Sequence, residues 1–154
     1  MDSSSVTKIE SILRVYIGRD VWINFNYFGE NAGKGVLYGK IASVGNGWLQ
    51  LVLKNGHKSI VNVKNIAFVE HTPMQAQYDS EKIMNNSFNI EIEEALEVII
   101  GKEVCINYNY FNNKTKDGIS SGVLVEVGDG YISLALNNGN ISIANISNIA
   151  FIVY

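Results

Sequence analysis

The sequence predicts a mainly β protein made of two tandem small barrels, each a short N-terminal helix followed by a strongly bent five-stranded antiparallel sheet. Three observations carry this expectation. Residues 9–71 and 92–154 align without a gap at a constant offset of 83, and 28 of the 63 aligned pairs are identical. Such a unit is too long for a solenoid repeat and long enough to hold its own small core. Within each copy, short alternating apolar stretches are separated by glycine-containing turns, the pattern of a small all-β fold. Each copy also opens with a few residues at helical spacing that stop at a glycine, Gly18 or Gly101. The expected organisation is a first repeat over 7–71, a linker over 72–89 and a second repeat over 90–154.

Residues 1–6 read as a loose polar tail. Ile9, Ile12, Leu13 and Tyr16 then fall at i, i+3, i+4 and i+7, one apolar stripe of a helix. Thr7 with Glu10 fits a capping box, in which hydroxyl and carboxylate satisfy each other's backbone N–H. The second copy repeats the stripe with Ile92, Ala95, Leu96 and Ile99, and Asn89 is a candidate cap. Helices of about ten residues are marginal alone in water, so each stripe must lie on something.

Residues 21–28 alternate as a first strand, with Val21, Ile23, Phe25 and Tyr27 on one face. Asn24 and Asn26 lie on the other face and recur as Asn107 and Asn109. Asn is depleted in strands, so the pair either has a hydrogen-bonding task or faces water; the usual wet face of a sheet favours the second. After a polar loop comes a longer strand over 36–44 (119–127), with Gly39/Gly122 inside it marking a bend or bulge. Gly45-Asn46-Gly47 and Gly128-Asp129-Gly130 are turns that accept positive φ. Residues 48–53 (131–136) follow, with Leu49, Leu51 and Leu53 toward the core and Trp48, Gln50 and Val52 outward. Asn55-Gly56 and Asn138-Gly139 form a second tight turn before strands over 58–63 (141–146) and 66–69 (149–152). The linker holds the only proline, Pro73, and its 79–84 stretch has a helical pattern.

Composition narrows the function classes. With 47% apolar and 18% charged residues the chain is ordinary globular protein, not disordered. No apolar run reaches the roughly 18 residues of a membrane span, and residues 1–5 lack a signal-peptide pattern. The single Cys105 excludes an intramolecular disulfide and a cysteine metal site, and a reducing, cytoplasmic location is the expectation. His57 and His71 do not recur, aligning with Asn140 and Tyr154. Without metal-ligand spacing, phosphate loop or nucleophile motif, neither catalysis, metal nor cofactor is expected. Glu93, Glu94 and Glu97 read as a solvated helix face. The net charge of −3 is unevenly spread: the first repeat has seven Lys/Arg against four Asp/Glu, the second three against seven. Opposite signs favour contact between unlike copies, although drift of solvated residues gives the same asymmetry.

A helix followed by five short bent strands, with Ile17-Gly18-Arg19-Asp20-Val21-Trp22-Ile23, Gly39-Lys40-Ile41-Ala42-Ser43-Val44, Leu49-Gln50-Leu51-Val52-Leu53 and Val63-Lys64-Asn65-Ile66-Ala67-Phe68-Val69, resembles the Sm-like family, including its bacterial Hfq-like variety. The resemblance covers both repeats. It implies rings in which the fourth strand of one barrel pairs with the fifth of the next, so Phe68, Val69, Phe151 and Ile152 are expected at assembly edges. Open edges with unpaired N–H and C=O groups invite such pairing. Two barrels per chain suit an even-numbered ring, such as three chains giving six barrels, with an intramolecular barrel pair or a plain dimer as the alternatives.

In RNA-binding members a base stacks on a side chain before the third strand and is held by an Asn and an Arg. By position these fall on Trp48 and Tyr131, on Gln50 and Ser133, and on Asn62 and Asn145, with Lys64 as a nearby cation in the first repeat only, since Ser147 replaces it. A stacking platform survives in both copies and the guanidinium in neither, and packing of Trp48 and Tyr131 against a neighbouring barrel is the competing and favoured reading of these rings. A sequence pI near 5.3 also lacks the basic footprint of a nucleic-acid binder. The expectation is a non-catalytic Sm-like assembly module that self-associates through strand edges, with single-stranded RNA as its best-defined candidate ligand. The alternative is a protein-interaction scaffold without nucleic acid.

Overall fold

The computed structural model describes residues 8–25, 37–72, 89–109 and 119–154. Among them are two short helices and ten strands. Helix α1 (Ile9–Val15) precedes β1 (Asp20–Phe25), β2 (Leu37–Val44), β3 (Trp48–Val52), β4 (Lys58–Asn62) and β5 (Ile66–Glu70). Helix α2 (Ile92–Glu97) precedes β6 (Glu103–Tyr108), β7 (Ile119–Val127), β8 (Tyr131–Leu136), β9 (Ile141–Asn145) and β10 (Ile149–Val153). A 3₁₀ turn joins the last two strands of each half, at Val63–Asn65 and Ile146–Asn148.

All ten strands belong to one antiparallel sheet, in the order β5-β1-β2-β3-β4-β10-β6-β7-β8-β9. Two five-stranded barrels were the expectation, with an intramolecular pair of them as one alternative. In the structure β4 of the first half pairs with β10 of the second, so one ladder runs through both halves. The sheet is not closed, and β5 and β9 end it. The Thr7 cap, the ends of the first strands beyond Phe25 and the 79–84 stretch lie outside the described residues.

Within each half the same devices bend the sheet. The β2–β3 register shifts between Ile41 and Ser43 and the β7–β8 register between Leu124 and Glu126, at equivalent places, and a second shift in each half lies between Asn24 and Phe25 and between Ile149 and Phe151. A bulge adds a residue to one strand and sharpens its bend. Gly39 lies just before the first of these, where an added Cβ would meet the Val52 carbonyl oxygen at 2.8 Å. The expected turns form, with Gly47 at φ 81° and Gly56 at φ 89°.

Gly45 is needed for a different reason. A Cβ there would overlap the Trp48 indole, and one on Gly128 would overlap the Tyr131 ring. Trp48 is buried, whereas Tyr131 is only half-buried and can swing away. Gly45→Ala is therefore expected to cost about 1–3 kcal/mol, the usual range for overpacking a filled site, and Gly128→Ala clearly less. Urea denaturation of the two variants checks the difference.

The apolar side chains form two cores, and each takes residues from the other half. The first is built on Leu13, Val21, Ile23, Ile41, Leu49, Leu51 and Val61, and includes Ala150 from β10. The second is built on Leu96, Ile106, Leu124, Ile132, Leu134 and Ile152, and includes Trp48 and Ile60 from β3 and β4. The helices differ in the same sense. Helix α2 packs on β7 of its own half and on β4 of the other, while α1 packs on β2. Ile92 and Ala95 are accordingly half-covered, but their counterparts Ile9 and Ile12 are exposed.

Candidate assembly surface

The junction between β4 and β10 is the best-defined surface in the molecule, because it is an interface already filled. Its register sets Phe151 opposite Val61, Ile152 opposite Ile60 and Val153 opposite Ser59. Lys58 and Tyr154 extend it by exchanging backbone hydrogen bonds of 3.0 and 2.9 Å. Ile60, Val61 and Ile152 are almost wholly removed from water. The Phe25 and Phe151 rings stack with centroids 5.2 Å apart.

Four buried or half-buried polar side chains along the junction are matched, which spares them the cost of desolvation, whereas the buried Ser59 Oγ opposite Val153 has no hydrogen-bond partner among the described residues. Asn62 Nδ2 donates to the Ile146 carbonyl at 3.1 Å. Asn65 Nδ2 donates to the Ser147 and Ile149 carbonyls at 3.1 and 2.7 Å, while its Oδ1 accepts from Asn109 Nδ2 at 3.1 Å. Asn109 thus performs the hydrogen-bonding task that a wet sheet face had argued against. Trp48 Nε1 donates to the Ile90 carbonyl at 2.7 Å, and Gln50 Nε2 donates to the Tyr154 hydroxyl at 2.6 Å.

The residues aligned with RNA-contacting positions therefore have two different settings. Trp48, expected to face outward, is 6% exposed and packs into the second core. Gln50 and Asn62 bond across the junction, and Lys64 is exposed in the adjacent 3₁₀ turn. Their second-half counterparts lie by the open edge: Tyr131 is half-buried, Asn145 is exposed, and Ser133 Oγ donates to Glu126 at 3.2 Å. Of the expected edge residues, Phe151 and Ile152 are in the junction, Phe68 is 51% exposed at the β5 end, and Val69 is half-buried.

Comparison with protein-family models, curated proteins and solved structures gives no match. The internal comparison is more informative. Ser59-Ile60-Val61-Asn62 of β4 recurs as Ser142-Ile143-Ala144-Asn145 of β9, and Ile66-Ala67-Phe68-Val69 of β5 as Ile149-Ala150-Phe151-Ile152 of β10. Ile60 is 3% exposed and Ile143 is 72% exposed. Asn65 is buried and Asn148 exposed; Ala150 is buried and Ala67 exposed. Nearly the same chemistry is covered once and bare once. Further large apolar side chains are exposed at Ile9 and Ile12 of α1, and at Ile141 and Ile143 of β9.

Asn65, Tyr154, Ile60 and Ile143 were not singled out from sequence, although the offset of 83 pairs Ile60 with Ile143 and Asn65 with Asn148. Glu93, expected on a solvated face, clasps the β7–β8 turn by accepting from Gly130 N–H at 3.2 Å, as Glu10 does from Gly47 N–H at 3.0 Å. Helix α2 begins after Glu91 rather than at Asn89, with the Glu94 carboxylate accepting from the Glu91 N–H at 3.4 Å. Among the described residues no group of three or more His, Cys, Asp or Glu could hold a metal ion, and no helix is long and apolar enough to cross a membrane.

Burial pushes the Tyr154 phenol above its ordinary pKa, and the Gln50 hydrogen bond pulls partly back. A raised pKa means that the folded state favours the neutral phenol. Its stabilising contribution is complete below the unfolded value of about 10 and is lost as pH rises through the folded value. Tyr154→Phe is expected to be slightly less stable at neutral pH, by about 0.5–1.5 kcal/mol for the lost hydrogen bond. It is also expected to lose less stability than the parent between neutral pH and pH 11. Thermal melts of both proteins across that range check the sign.

Proposed function

We propose that this chain is a non-catalytic, Sm-like self-assembly module: two five-stranded units joined in one chain, which add to further copies through strands β9 and β5. The observation that carries this reading is the difference in exposure between Ile60 and Ile143, identical residues at equivalent places, one under β10 and one bare. Unpaired edge strands with apolar side chains are templates for strand addition. Repeating the internal register between copies sets Val69 opposite Ile143, Phe68 opposite Ala144 and Glu70 opposite Ser142. It also aims Asn145 at the Val63 carbonyl, and Asn148 at the Lys64 and Ile66 carbonyls, of the next copy. The contact is head-to-tail, so it closes into a ring if the rotation allows and otherwise continues; three chains would supply six units.

Single-stranded RNA is the second reading, favoured by the half-buried Tyr131 and the exposed Asn145 and Lys64 near the ends. Light scattering on the purified chain, with and without a short oligouridine, tests both. A mass of three or more chains supports assembly through the edges. A further rise with oligouridine supports the RNA reading. A 17.0 kDa species at all concentrations would overturn the assembly reading.

A further inference from the structure

Alongside the junction runs a groove of about 520 Å³, between helix α2 and the strands of the first half. Its walls are mostly apolar: Trp48 and Ile60 on one side, Ala95 and Val98 on the other, with the Tyr154 phenol between halves. Val98, the residue that follows helix α2, is 78% exposed, a bare position for a β-branched aliphatic. Two exposed carboxylates, Glu94 and Glu97, also line it, and no Lys or Arg does among the described residues. Apolar walls with a few polar groups and a volume of several hundred Å³ are the usual character of a binding groove.

We propose that this groove docks a protein partner through a segment that presents apolar side chains flanked by Lys or Arg. The charges select this occupant. A nucleic acid strand or an anionic membrane would bring phosphates against Glu94 and Glu97, whereas a basic amphipathic segment pairs its cations with both while its apolar face covers Val98 and the Tyr154 edge. Glu94 and Glu97 are three residues apart on one helix, hence on one face. A single chain supplies the whole groove, so docking there does not depend on assembly through β9 and β5.

The test uses the full chain carrying Trp22→Phe, which leaves Trp48 as the one tryptophan and places the reporter in the groove wall. The probe is a synthetic 18-residue peptide of leucine and lysine at helical spacing, with a leucine–glutamate peptide of the same pattern as control. The expected result is a saturable change in Trp48 emission with the lysine peptide only. Glu97→Lys is expected to weaken binding at least threefold and the Glu94→Lys/Glu97→Lys pair at least tenfold, while Glu103→Lys, an exposed reversal outside the groove, changes it less than twofold. Glu97→Lys alone leaves the helix start untouched, so its effect is readable even where the double variant is less stable. No saturable change, equal response to the two peptides, or equal loss in Glu103→Lys would overturn the proposal. So would a fall in assembly mass on Glu97→Lys, which would assign the groove to a second copy.

Discussion

Ile143→Asp is expected to leave the chain folded and to abolish the proposed self-association through β9 and β5. At 72% exposed, Ile143 gives up almost nothing in the isolated chain when it is replaced, and surface changes of this kind usually fall within about 0.5 kcal/mol of neutral. In an assembled edge the same side chain would sit opposite Val69 of the next copy, as Ile60 sits opposite Ile152 within the chain. A carboxylate placed there would have to be buried without a partner, at a cost of several kcal/mol. Because both edges of the added strand are needed for growth, even a modest penalty per contact removes assemblies of three or more chains. Light scattering beside a urea denaturation curve reads both halves of the expectation. Assembly that survives Ile143→Asp unchanged would place the contact elsewhere.

Ile60→Asp is the companion experiment, with the same substitution at the aligned position and the opposite outcome. Ile60 is 3% exposed and belongs to the core of the other half, beside Leu96, Ile99 and Ile152. Truncating a buried isoleucine to alanine already costs about 2–5 kcal/mol, and an unpaired buried charge adds to it. The total approaches the whole stability of a typical domain, about 5–15 kcal/mol. The variant is expected to separate the two halves or to unfold, with loss of near-UV signal from Trp48. If Ile60→Asp were as mild as Ile143→Asp, the β4–β10 junction would not be part of the folded core. The pair is informative because side-chain chemistry is held constant and only the cover differs.

Much of the local structure was legible because it depends on short stretches of chain. Gly47, Gly56, Gly130 and Gly139 take positive φ at the turns read from sequence, since few other residues accept that conformation. The alternation in 48–52 correctly assigned Leu49 and Leu51 to the core. The same alternation sent Trp48 out of its own half, and of the two tasks open to it there, base stacking or packing against a neighbouring barrel, the structure shows the packing. Period two tells which face of a strand a residue occupies, and says nothing about what covers that face. Trp48 lies on the outer face of its own half and on the inner surface of the other. Glu93 and Asn109 were assigned to solvated faces for the same reason, since their partners, Gly130 N–H and Asn65, are brought beside them only by packing.

By itself the sequence determined that two equivalent units exist, where each bends and turns, and which side chains must be hidden somewhere. These follow from local backbone preference and from the hydrophobic pattern, both written in consecutive residues. Only the tertiary structure decided which copy of each edge is covered. Residues 59–62 and 142–145 carry nearly the same chemistry, so no propensity or pattern could separate them. Among the described residues β10 lies beside β4 and no equivalent strand lies beside β9. Burial is a property of neighbours, and among the described residues β9 has a neighbouring strand on one side only.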